Sequence, residues 1–503
     1  MLANNLVVIQ HEMGHVLAVS SNHFRYYRKA DGEPRTTRPF QQANVICSDG
    51  IERPEYIPDT NVVDWYYDAL GSRYAAITTE RVTAVARNQF DCQEIPGGRL
   101  ENQQGDGSCF GDHWEERLYY DEVMSGVIAQ DDNFLSPITV ALCEDSGWYL
   151  ANYSTTTIMP WGHSAGCSFY NNSCIATDSS GNSYVPDYAR GYFCTSSAQR
   201  GCGPAHTHKM ACTLMDYDLN TQYPPPPNVY QYFRSQPSDG GLNMANYCPI
   251  FGSTYKGLSA DELDCRNPDN QDFVNLYGEY WGPNSMCFES LVDSYGQLTY
   301  GTGRCYKAQC DLSSRKLHVY IRGSWMSCDY DFQQLSIVSN TGVFEGKVTC
   351  PRLAQVCPGM FCPANCAGRG VCNFKAIKSN GTYIPKCECF NSSDTSEGCS
   401  SSLVLSGQYD SRYIGNSGGL QDVHGSNGFF GPFVSVFVDK PSVWNRASWI
   451  WFASIVMLFI ALTVCICSAF LPSTMHKRSP QPLKGKVVGV KKNIQAQKLQ
   501  RKF

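Results

Sequence analysis

Met1 to Gln10 lacks both a basic start and a cleavage site, so no secretory signal is read there, and the segment runs directly into a helix-forming stretch. Basic charge is scarce over most of the chain. Of 40 Lys and Arg, nine fall in the last 32 residues, Pro472 to Phe503, which contain no acid; the other 31 stand against 46 Asp and Glu, a formal charge of −15. An acidic surface repels phosphate, which excludes nucleic acid as a partner. Long apolar runs are scarce too. Ser448 to Leu471 is the one that stands out, 24 residues without a charge and long enough to cross a bilayer as a helix, with Trp444, Trp449 and Trp451 at its start. The basic tail behind it places the C-terminus in the cytosol and residues 1–447 outside. Cys465 and Cys467 within the run read as small apolar residues.

Cysteine is abundant. A chain of 503 residues with 25 cysteines calls for two to four domains, disulfides and an oxidising compartment. Asn-x-Ser/Thr acceptors at Asn152, Asn171, Asn380 and Asn391 agree with that setting. Six cysteines crowd into 362–399 without the C-x2-C doublets of a zinc ribbon. Their pattern, CPANCAGRGVCN followed by KCECFNSSDTSEGC, resembles an EGF-like module, which implies the bridges Cys362–Cys372, Cys366–Cys387 and Cys389–Cys399 and a spacer rather than a receptor site. Residues 400–447 are rich in Gly and Ser and read as a juxtamembrane stalk, with one short strand pair around Phe429 to Val438. Outside the module and the apolar run 17 cysteines remain, an odd number, so one lacks an internal partner; the expectation is a partner in a segment that precedes Met1.

Chemistry is concentrated at His11-Glu12-Met13-Gly14-His15. At about 100° per residue His11 and His15 lie roughly 40° apart on a helix, close enough to hold one Zn²⁺, with Glu12 beside them as a general base. Leu6, Ile9, Met13, Val16 and Leu17 form a stripe roughly opposite, expected to be the buried side. A third ligand is needed. The compact metzincin position for it holds Ser21, and His23 has the wrong spacing; His113, in GDHWEERLYYDEVMSG, is the better candidate. His206 and His208 in GPAHTHKM read as exposed loop histidines, and His163 as structural. Ser136 to Gly147 reads as a helix with Ser136 as N-cap, Pro137 at N1, Gly147 at C′ and Ile138, Ala141 and Leu142 facing a core. Pro224 to Pro227 form a stiff extended link.

Several segments in order resemble the leishmanolysin family of metzincin zinc peptidases, over roughly residues 5–356: GDHWEERLYYDEVMSG, CQEIPGGRLENQQGDGS before it, and ALCEDSGWY, PWGHSAGCSF, MANYCPIF and GRCYKAQC after it. The resemblance implies His113 as third ligand, Met124 as the Met-turn methionine beneath the metal, one Zn²⁺, and a helix from Ser136 that supports that turn. Two departures stand out. Ala18 takes the place of the family's Gly, where the chain must bend away after the second histidine. The sheet that metzincins place before the active-site helix has no room in ten residues.

The expected fold is thus α+β, metzincin-like, without its N-terminal sheet, with a disulfide-rich C-terminal subdomain. Its expected parts are a catalytic region 1–150, a Cys-rich part 151–356, the EGF-like module 357–399, the stalk 400–447, the transmembrane helix 448–471 and the cytoplasmic tail 472–503. The expected function is that of a membrane-anchored zinc metalloendopeptidase at the cell surface, hydrolysing proteins with Glu12 as base; the alternative is an inactive surface relative acting in adhesion or binding.

Overall fold

The computed structural model describes residues 2–47, 50–103, 109–219, 223–275, 277–294, 301–338, 344–377 and 384–400. The chain divides into two units, 1–419 and 420–503, and every described residue belongs to the first. The stalk beyond Ser400, the apolar run, the basic tail and Asn380 lie outside the described residues. Among the described residues no helix is long and apolar enough to cross a membrane.

Helix α1 (Leu2–Leu17) carries the HEMGH motif. Its buried face runs through Val7, His11, Gly14 and Ala18, at helical spacings of four, three and four: Val7 packs on the main core and Gly14 rests on Met124. The stripe expected to be buried is exposed instead, with Ile9 at 53% and Val16 at 77%. The helix is held by its histidine side. The bend after α1 is made without glycine. The amides of Ala18 and Val19 both donate to Gly14 O, at 3.0 and 2.9 Å, and Ala18 stays out of the left-handed region, so a Cβ there costs nothing.

A short helix α2 (Ser21–Phe24) follows, then a ribbon of β1 (Gln42–Ile46) and β2 (Glu52–Tyr56) stapled by Cys47–Cys109. Strands β3 (Val63–Tyr67), β4 (Arg73–Ile77) and β5 (Gly98–Arg99) form an antiparallel sheet in that order. Between β4 and β5 runs α3 (Glu80–Phe90); the Asp145 carboxylate accepts from the first-turn amides of Arg81 and Val82 at 2.9 and 3.1 Å, satisfying donors that have no intrahelical partner. After α4 (Glu116–Tyr119) comes α5 (Pro137–Asp145). Ser136 accepts from Ile138 N, Pro137 opens the helix, and Gly147 takes φ +75° just beyond it, packed on the Arg28 carbonyl. Ile138, Ala141 and Leu142 enter the main core.

The later part of the chain is built on a six-stranded antiparallel sheet. Its spatial order is Ser324–Cys328, Lys316–Ile321, Thr302–Asp311, Ser285–Ser294, Phe344–Thr349, Gln334–Val338, with Phe288, Tyr306, Val319, Leu335 and Val348 forming a core of its own. Disulfides such as Cys92–Cys167, Cys174–Cys248 and Cys202–Cys287 tie this part together and to the region before residue 150. Among the described residues Cys143, on α5 and half-buried, is the one free cysteine. His206 and His208 are buried, not exposed. His206 Nδ1 donates to Cys287 O at 2.7 Å, and His208 lies against Thr207 and Asp264, because the Cys202–Cys287 bridge draws their loop inside.

Residues 362–399 hold the disulfides Cys362–Cys372, Cys366–Cys387 and Cys389–Cys399 and a small strand pair, Gly370–Asn373 with Lys386–Cys389. The expected spacer is not free-standing. It packs on α3 and α5, since Asn88 of α3 donates to Asn365 O and Gly370 O, both at 2.9 Å, and Gly368 lies against the Arg81 backbone.

His163 is sealed nearby, its Nδ1 donating to Ala354 O while Phe361 and Phe374 meet the ring edge-on. Burial pushes its pKa down to about 4, outweighing that hydrogen bond. The unfolded chain therefore binds the proton first, and this group costs stability as pH falls from about 6.5 towards 4. In His163→Leu the loss of unfolding free energy between pH 7 and 5 is expected to shrink by about 2 kcal/mol, read from urea melts at both values. An unchanged difference would contradict the assignment.

Candidate metal centre

α1 puts His11 and His15 one turn apart, and the chain returns 98 residues after His15 to deliver His113. That segment is fixed on both sides: Glu101 N donates to His113 O at 2.8 Å, and Trp114 N donates to Met124 O at 2.9 Å. The three Nε2 atoms form a triangle with sides of 3.2 Å (His11–His113), 3.1 Å (His11–His15) and 3.1 Å (His15–His113). His11 Nδ1 donates to Val123 O and His15 Nδ1 to Val19 O, both at 2.7 Å. Carbonyls only accept, so in the neutral form of either ring the proton sits on Nδ1 and Nε2 is a bare lone pair.

Burial favours the neutral form of His11 and His113. It pushes His113 down to about 3, with the His15 and His11 imidazoles adding to the effect, and it lowers His11 against the opposing pull of the Val123 bond. Lone pairs converging at this distance repel unless a cation lies between them. Nitrogens about 2.0–2.1 Å from a tetrahedral Zn²⁺ stand about 3.3 Å apart, close to the sides observed, so the donor set fits one such ion. His11 is buried, His15 and His113 are half-buried and Glu12 is exposed, which leaves one side of the triangle accessible. His23 is not part of it; its ring packs edge-on to Trp148. Among the described residues the other cluster with ligand spacing, Cys362, Cys366 and Cys387, is consumed by disulfides.

Met124 is fully buried under α1, and a Cβ on Gly14 would stand 2.2 Å from its sulfur. The turn that carries it hangs on Glu122. One carboxylate oxygen accepts from Met124 N at 2.5 Å; the other accepts from Ser136 N, Ser136 Oγ and Thr139 Oγ1 at 3.1, 3.0 and 2.7 Å. Burial raises the Glu122 pKa to about 7 against those bonds. Asp112, beside His113, accepts from Ser21 N at 2.5 Å and ties α2 to the same loop. Sequence reasoning passed over Gly14, Glu122 and Asp112. The signal for Gly14 was available, a glycine between two ligands on a helix where Ala would fold better; the other two become visible only once the turns are built. Of the glycosylation candidates, Asn152, Asn171 and Asn391 are exposed.

Residues 3–362 match the family model for leishmanolysin, peptidase M8. The chain belongs to the leishmanolysin family. It is similar to a leishmanolysin-like peptidase of Drosophila pseudoobscura pseudoobscura, 29% identical over 392 residues, covering 70% of this chain and 55% of that protein. A leishmanolysin-like peptidase of Caenorhabditis elegans is 26% identical over 392 residues, 69% of this chain and 57% of that one, and the leishmanolysin of Leishmania tropica is 28% identical over 290 residues, 56% and 41%. The chain thus spans about half the length of the curated relatives it matches. The stretch matched by the leishmanolysin family includes the histidine triangle, Met124, helices α3 and α5 and the whole six-stranded sheet.

Gly14→Ala is expected to push Met124 out of its seat at a cost of about 1–3 kcal/mol, read as a lower melting temperature. A variant that melts with the wild type would show that the contact is not confining.

Proposed function

We propose that this chain is a zinc metalloendopeptidase of the leishmanolysin family, acting on protein substrates outside the cell. The observation that carries the reading is the triangle of converging His11, His15 and His113 Nε2 atoms with the exposed Glu12 one residue from a ligand. The peptidases among its relatives support it.

His11, His15 and His113 would hold one Zn²⁺, with Met124 as an apolar floor beneath them. A bound Zn²⁺ supplies Lewis acidity, polarising a substrate carbonyl and bringing the pKa of water to about 7. The chain does the rest. Val123 O and Val19 O hold two of the rings in the tautomer whose lone pairs would face the ion. Glu12, exposed beside the triangle, takes the proton from the attacking water and delivers it to the leaving amine, so no acyl-enzyme is needed. The 24 uncharged residues from Ser448 to Leu471, followed by the basic tail, support anchoring by a single span with the catalytic region outside and the C-terminus in the cytosol. The division into catalytic region, Cys-rich part and EGF-like module is adopted with it, and Asn152, Asn171, Asn380 and Asn391 are the proposed glycosylation sites.

Removal of a general base lowers rate by about 10²–10⁴-fold. Glu12→Ala is therefore expected to keep its zinc, by metal analysis, and lose casein cleavage by at least about 100-fold. Equal cleavage by the zinc-loaded wild type and variant would overturn the mechanism.

A further inference from the structure

Helix α5 is gripped at both ends. At its N-terminus Ser136 and Thr139 hold Glu122, which holds the amide of Met124, and Thr139 Oγ1 also accepts from the indole Nε1 of Trp114 at 2.8 Å, the residue next to His113. At its C-terminus Glu144 pairs with Arg369 of the six-cysteine module, accepts from Tyr153 OH at 3.1 Å and lies 3.3 Å from Arg81 Nε, while Asp145 caps α3. The module also locks α3. Beyond the two bonds that Asn88 donates to Asn365 O and Gly370 O, its side-chain oxygen accepts from Cys372 N at 2.9 Å, and Asn365 Nδ2 donates to Gln89 Oε1 at 2.9 Å. Asn88, Gln89 and Asn365 are all buried. Gly368, at φ +66°, comes so near Arg81 that a Cβ would stand 2.8 Å from its carbonyl oxygen.

A tether needs none of this. Buried side-chain amides bonded to a neighbour's backbone describe a packed interface, and of the two helices that the module covers, α5 reaches the turn that carries Met124. We propose that the six-cysteine module positions the metal centre, acting through α5 on the Met124 turn and on the segment that carries His113. Arg369 and Asn88 are its positioning residues. With the module in place, α5 has one seat, Glu122 holds Val123 and Met124 where Val123 O can orient His11, and Trp114 keeps His113 in register. The proposal rests on the reading of the triangle as a metal centre.

The test is the zinc dissociation constant of the full chain, by competition with a chelator at a temperature where every variant is folded. Loss of an outer hydrogen-bond partner of a metal site costs about 10–100-fold in affinity. Arg369→Gln and Asn88→Ala are expected to weaken zinc by about tenfold, Arg369→Lys to recover most of that loss, and Val319→Ala, in the separate sheet core, to lower the melting temperature without changing affinity. Should Asn88→Ala not fold, Arg369→Gln decides, because the Arg369 side chain is less deeply buried than Asn88. Wild-type affinity in folded Arg369→Gln, or a Val319→Ala defect as large, would overturn the positioning role. A wild-type chain that binds no zinc would overturn that role and the metal-centre reading together, so the two failures are distinguishable.

Discussion

Three imidazole Nε2 atoms brought to one point are costly to assemble, and much of the N-terminal region is arranged to assemble them. Two of the rings are steered by main-chain carbonyls, Val123 for His11 and Val19 for His15, each reached from Nδ1 at 2.7 Å. Those carbonyls lie in irregular backbone, one in the turn that carries Met124 and the other just past the end of α1. The fold therefore has to fix two turns to fix two rings. It does so with the double acceptance at Gly14 O in one case and with the Glu122 carboxylate in the other.

Carboxyl groups are buried near the site on a scale that needs explaining. Glu101, Glu115, Glu116, Asp121 and Glu122 are all sequestered, and only some meet a cation: Arg99, itself fully buried, lies 3.3 Å from Glu115 and 3.1 Å from Asp68. The others serve as acceptors for main-chain amides in turns, as Glu116 does for Val127 N and Glu122 for Met124 N. Burial raises their pKa values, to about 8 for Glu116. Carboxylates used in this way stiffen loops that no regular sheet or helix supports, which is what a site made of returning loops requires.

Part of this was legible in the sequence. His11 and His15 declare themselves because a helix converts a spacing of four into adjacency, and the N-cap and stop around α5 are local chemistry. His113 has no local signature, since a ligand 98 residues away is specified by the fold; the resemblance to leishmanolysins singled it out. The buried face of α1 was misjudged because hydrophobic spacing assumes that apolar residues seek the core. Here the histidine face is the one with a partner, and Ile9 and Val16 remain in solvent. Cysteine spacing suggested a compact module, but nothing in CPANCAGRGVC reveals that its backbone carbonyls would be taken by Asn88, 277 residues earlier. Parity said that one cysteine would be left over; only the packing of the other 22 picks out Cys143.

The central claim is that His11, His15 and His113 converge because they share one ion. X-ray absorption at the zinc edge of the zinc-loaded protein tests it most directly. The account predicts three imidazole nitrogens at about 2.0–2.1 Å with the remaining coordination from oxygen. A sulfur shell near 2.3 Å, or two imidazoles in place of three, would contradict it.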